Sequence, residues 1–170
     1  MNLPRAAALA AVLMTLAGCD PVTVGEAPRT GQTQCLADYR TCVDPIFHSV
    51  LLGATGQVTC SAGGCHDNSS GSGGAFKIIP NPGTDADLAA NFNTARAFSN
   101  LGRPADSKLL LEPLAGTSDI SGTHTGGDIF PGTGDVCYQA IIDWISLRVD
   151  DQNSAGCGAC SVPNLSQCGF

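Results

Sequence analysis

Residues 60 to 66 read CSAGGCH. Two thiols with an imidazole directly after the second form the donor set that attaches a c-type haem. Each cysteine adds across a vinyl group, and the adjacent histidine becomes the proximal iron ligand. The familiar spacer between the cysteines is two residues, whereas Cys60 and Cys65 are separated by four, Ser61-Ala62-Gly63-Gly64. All four are small, so the segment can loop outward and still bring both sulfurs to one macrocycle, and Gly63 and Gly64 are expected to supply positive φ. The bland alternative is a local disulfide between Cys60 and Cys65 in a cysteine-rich chain.

An iron held by His66 takes a second axial donor from elsewhere in the chain. The two methionines, Met1 and Met14, both fall in an N-terminal stretch that reads as a signal, so a sixth ligand comes from His48, His124, a lysine, or nothing. His124 lies in Gly122-Thr123-His124-Thr125-Gly126-Gly127. Glycines on both sides give this histidine little packing of its own and let the backbone approach a flat ring, which makes it the expected distal ligand. His48 is the alternative. Without a methionine ligand, the expected reduction potential is lower than in Met-ligated cytochromes.

The remaining cysteines have other uses. Met1 to Gly18 combines Arg5 with an apolar run, Ala6 to Leu16, too short to span a bilayer as a helix. It closes on Leu16-Ala17-Gly18-Cys19, which resembles a bacterial lipobox with Cys19 as the acylated residue. The expectation is an exported lipoprotein on the periplasmic face of either membrane or on the cell surface, anchored by lipid rather than by a transmembrane helix. Of 170 residues, 18 leave with the signal and 152 remain, the size of one domain. Residues 19–34 read as a flexible tether, 35–150 as the folded domain and 151–170 as a Cys-rich tail.

In an oxidising compartment the nine cysteines sort without remainder. Cys19 takes lipid, Cys60 and Cys65 take haem, and Cys35, Cys42, Cys137, Cys157, Cys160 and Cys168 form up to three disulfides; eight non-lipidated cysteines would equally permit four bridges. Cys35 and Cys42, seven residues apart in one helix, would stand about 10 Å apart, beyond disulfide reach. Cys157-Gly158-Ala159-Cys160 has no histidine after it and no thioredoxin-like context, so it reads as a staple. The formal charge of −7, or −8 once Arg5 is removed, argues against nucleic acid and suits a basic redox partner.

Apolar periodicity predicts helices over 34–52, kinked at Pro45, over 86–98 after a Thr84 or Asp85 cap, and over 136–148. A short turn follows Asp106-Ser107, and the stretches 67–74 and 118–133 read as loops.

In this order, Val43-Asp44-Pro45-Ile46-Phe47, Cys60 to His66, Pro104 with Ser107-Lys108-Leu109-Leu110, His124-Thr125-Gly126-Gly127 followed by Phe130, and Tyr138 to Ile145 resemble exported monohaem c-type cytochrome domains common in myxobacteria and planctomycetes. The resemblance covers about Cys35 to Arg148. It implies an all-α cytochrome c-like fold with long loops, whose first and last helices cross and hold one covalent haem c, with Phe47 and Trp144 against it. The function it implies is a lipid-anchored carrier of single electrons, not an enzyme. Two other readings predict different behaviour: a haem-free, disulfide-stapled lipoprotein acting as an interaction module, and a five-coordinate haem sensor of a diatomic gas. Zinc held by Cys60, Cys65 and His66 is a further, weaker reading, because an oxidising compartment favours disulfides.

Overall fold

The apolar stripe that starts at Leu36 winds as one spiral to His48, but not as one kind of helix. A computed structural model describes residues 32–117, 124, 126–155 and 157–170; the signal, Cys19, most of the tether and the sequence on either side of His124 lie outside the described residues. In it, α1 (Leu36–Asp38) widens into a π-helical turn, Tyr39–Val43, and returns to α-helix as α2 (Asp44–His48). The wide turn sits where Pro45 forbids an ordinary one, because Pro45 has no N–H for the Thr41 carbonyl. The Asp44 N–H reaches back five residues to the Tyr39 carbonyl, and the Thr41 hydroxyl donates toward the Ala37 and Asp38 carbonyls.

The spiral stops at His48 rather than near residue 52. Ser49 is extended, and Leu51–Gly53 (β1) pairs antiparallel with Gly56–Val58 (β2). Val50-Leu51-Leu52 satisfies strand alternation as well as helical spacing: Leu51 is buried while Val50 and Leu52 face outward.

The helix α3 (Asp85–Ala97) begins with a capping box between Thr84 and Asp87 and buries Leu88, Phe92 and Ala95. A 3-10 turn, Pro104–Asp106, leads into α4 (Lys108–Leu111). The Asp135 carboxylate caps α5 (Val136–Ser146), accepting from the N–H groups of Cys137 and Tyr138. This helix ends before the expected Arg148, because the chain straightens to pair Val149 with Thr33.

Each tail cysteine takes a partner in the body: Cys157 with Cys35, Cys160 with Cys42 and Cys168 with Cys137. Cys157 and Cys160 are thus divided between two bridges. Three disulfides mark an oxidising, exported environment, and no described helix is long and apolar enough to cross a membrane.

The all-α cytochrome c-like fold is overturned. Among the described residues, only α3 and α5 exceed five residues, and a hairpin and isolated bridges such as Asp67 with Ile78 and Leu114 with Phe130 organise long irregular stretches. Glycine and proline, 21 and 10 in number, interrupt helices, and disulfides closing long loops hold segments that too few helical contacts would hold. Trp144 is part of the core. It is fully buried against Tyr39 and Phe92 at ring separations of 5.4 and 6.0 Å, and its Nε1–H donates to the Cys35 carbonyl at 2.9 Å.

Candidate functional site

The four-residue spacer is folded back on itself. The Cys65 N–H donates to the Ala62 carbonyl and the His66 N–H to the Cys60 carbonyl, each at 2.9 Å, and the Ser61 N–H fastens the loop to the Phe47 carbonyl at the end of α2, also at 2.9 Å. Ser61 is buried and Gly63 and Gly64 are exposed, so the glycines do bulge outward. Neither adopts positive φ, contrary to expectation: the stacked turns close without it.

From His66 the chain leaves and returns. Ile78 donates to the His66 carbonyl at 2.7 Å and accepts from the Asn68 N–H at 2.9 Å, and this pairing sets the Phe76 carbonyl 2.9 Å from His66 Nδ1. A carbonyl can only accept, so Nδ1 carries the hydrogen and Nε2 keeps its lone pair. Burial holds His66 below the ordinary imidazole range, outweighing the Phe76 carbonyl, which favours the proton; nearby His124 adds to the depression. His66 is therefore a neutral imidazole at neutral pH. Gly73 makes room for it, since a Cβ there would stand 2.4 Å from Nδ1.

His124 is built the same way. Its Nδ1 lies 3.1 Å from the Gly127 carbonyl, which leaves Nε2 as the free donor. Gly127 turns the loop back with φ of +85°, where a Cβ would meet the Thr55 hydroxyl at 2.8 Å. The imidazoles of His66 and His124 are within 12° of parallel with centroids 5.9 Å apart, too far for a face-to-face stack in contact. In distance alone it matches two imidazoles on one metal, since about 2 Å per metal–nitrogen bond and about 1 Å from nitrogen to ring centre give about 6 Å.

Both histidines and both cysteines line one cavity of about 330 Å³, within the range of small-molecule sites. Its walls are apolar, formed by Ile46, Phe47, Phe76, Phe98, Ile129 and Phe130 among others. Phe76 is central, meeting Phe47, His66 and Phe98 edge-on at 5.5, 4.9 and 5.3 Å. Cys60 and Cys65 are the described cysteines that remain outside disulfides. Burial, with Cys65 adjacent, pushes the Cys60 thiol up to about 12, so it stays protonated. Two thiols, two imidazoles whose Nδ1 atoms are engaged by carbonyls, and aromatic walls are a donor set and lining that suit a flat, apolar macrocycle with a central metal and reactive vinyl edges.

His48 belongs elsewhere. Its Nδ1 pairs with the Ser61 hydroxyl at 3.0 Å, and its Nε2 lies 3.3 Å from the Asp44 carboxylate, which also accepts from Asn91 at 3.3 Å. His48 therefore braces the attachment loop against α2 and does not line the cavity. Among the described residues, the close groups of three metal-ligating side chains are Cys35, Asp38 and Cys157, and Asp135, Cys137 and Cys168. Their sulfurs are already in disulfides. The expected zinc set of Cys60, Cys65 and His66 does not converge in this way.

Compared with protein-family models, curated proteins and solved structures, the chain matches none.

Sequence reasoning missed the Phe76 carbonyl, Gly73 and the cavity residue Lys108. The first is a backbone group and carries no side-chain signal. Gly73 stood unremarked in a Gly/Ser loop, and Lys108 in a short helical turn.

Proposed function

We propose that this chain is an exported carrier of single electrons holding one covalently attached haem c, with Cys60 and Cys65 as attachment sites and His66 and His124 as axial ligands. The observation that carries the reading is the convergence of the two unbridged thiols and the two parallel imidazoles on one apolar cavity. Bound haem would supply the one-electron iron couple. Each thiol would add its sulfur to one vinyl carbon and its hydrogen to the other, with no net redox change. Phe76 and Gly127 hold the two ring hydrogens through their carbonyls and so aim both Nε2 atoms. Phe47, Phe98 and Phe130 exclude water. Two imidazoles leave no open axial position, which favours a carrier over a catalyst or a gas sensor.

Acylation of Cys19 would tether the carrier to a membrane, with residues 20–34 giving it reach. The acidic balance of the chain suits a basic electron-transfer partner. The test is the ferric and ferrous spectrum of protein made with a c-type maturation system. His124→Ala should convert a low-spin spectrum to high-spin and open the iron to carbon monoxide, while His48→Ala should leave the spectrum low-spin. A high-spin wild type, or a spectrum indifferent to His124→Ala, would overturn the ligand assignment.

A further inference from the structure

We propose that Lys108 is the counter-ion for carboxylates on the cavity's occupant, and that it orients the occupant by drawing its anionic edge to the α4 rim. Under the haem reading, on which this identification rests, those carboxylates are the propionates. Of the chain's eight lysines and arginines, six lie among the described residues. Five of them are engaged. Arg40 pairs with Asp85 and Arg103 with Asp106, each at 2.5 Å. Arg96 lies over the Phe92 ring and donates to Thr33 and Gln152. Lys77 donates to the Gly71 carbonyl and Arg148 to the Leu101 carbonyl.

Lys108 is the remaining one. Among the described residues its ammonium has no hydrogen bond or ion pair, and it stands exposed on the rim of the apolar cavity. Leu109, the next residue of α4, turns into the same cavity and is buried. An ammonium at the mouth of an apolar slot can meet a ligand's carboxylate while the ligand's body stays dry, and such a charge-assisted contact is stronger than a neutral one. Glu112, one helical turn on, also lines the cavity.

The experiment uses full-length, matured protein with haem content quantified first. It compares wild type, Lys108→Met, Lys108→Arg and, as a charge-loss control away from the cavity, Arg40→Met. The readouts are the propionate-bending band in the resonance Raman spectrum and the midpoint potential. Lys108→Met should shift the band and lower the midpoint, because the uncompensated carboxylate favours the ferric state. Lys108→Arg should keep both close to wild type, and Arg40→Met should leave the band in place. A fully loaded Lys108→Met protein with wild-type band and midpoint would overturn the Lys108 assignment while leaving the haem reading intact. A wild type that retains no haem would overturn both.

Discussion

Gly73→Ala is the substitution whose effect follows most directly from the geometry around His66. The added Cβ would lie 2.4 Å from His66 Nδ1, 2.6 Å from its Cε1 and 2.7 Å from the Cys65 carbonyl oxygen. Non-bonded contacts settle near about 3.5 Å, so the ring must retreat by about 1 Å. That movement carries Nδ1 from 2.9 Å to beyond hydrogen-bond range of the Phe76 carbonyl. Losing the bond costs about 1–2 kcal/mol, and repacking the ring against Phe76 costs about 1–3 kcal/mol. The sum is about 2–5 kcal/mol, or a fall in Tm of roughly 4–20 °C for a chain of this size. Thermal unfolding of the haem-free protein by circular dichroism measures it. Gly64→Ala is the internal control, because nothing lies within 4 Å of a Cβ at that position; its Tm should move little. A Gly73→Ala protein melting within about 2 °C of wild type would refute the placement of His66.

The disulfides give a prediction about additivity. Cys42–Cys160 overlaps Cys35–Cys157, the ends alternating along the chain in the order 35, 42, 157, 160, with sequence separations of 118 and 122. Opening either alone leaves a large loop closed by the other and releases only the small circuit of about ten residues formed by segments 35–42 and 157–160, costing about 3 kcal/mol, whereas opening both also releases the large loop and costs about 8 kcal/mol in all. Urea unfolding of the single and double Cys→Ser pairs should show this. Two independent losses of about 5 kcal/mol each would contradict this shared large loop. The pH dependence of the haem-free protein has a definite sign. Because burial lowers the His66 pKa in the folded state, the unfolded chain binds the proton more readily, and stability should fall as pH drops below about 6.5, the unfolded value. The urea midpoint should therefore be lower at pH 5.5 than at pH 7.5, and His66→Gln should flatten that difference; an undiminished slope in the variant would assign the effect to another group.

The disulfide-forming cysteines of this chain were more legible in its sequence than its architecture. The six cysteines read as disulfide candidates pair among themselves, because oxidation and parity constrain sulfurs whatever the fold. His124 stood out because glycines flank it, and one of them, Gly127, turns the loop back with positive φ. Which cysteine meets which is a property of the three-dimensional path and was left open. Helical spacing misled at residues 49–52, where a short apolar run fits a strand equally well and the nearby Gly56 supplies a turn with φ of +132°. At Trp144 helical spacing marked a buried side chain correctly, while the contact with haem implied by the resemblance is not seen: its indole is held by the Cys35 carbonyl and the Tyr39–Phe92 cluster and does not line the cavity. The capping boundaries at Thr84 and Asp135 were readable because a cap is a local interaction.

The most direct test of the central claim is the pyridine haemochrome of protein matured with a c-type system and then extracted with acid acetone. The account predicts one haem per chain that survives extraction with a thioether-type spectrum, and loss of retained haem when Cys60 and Cys65 are both replaced by serine. Haem that washes out, or none bound at all, with Cys60 and Cys65 recovered as a disulfide, would contradict it.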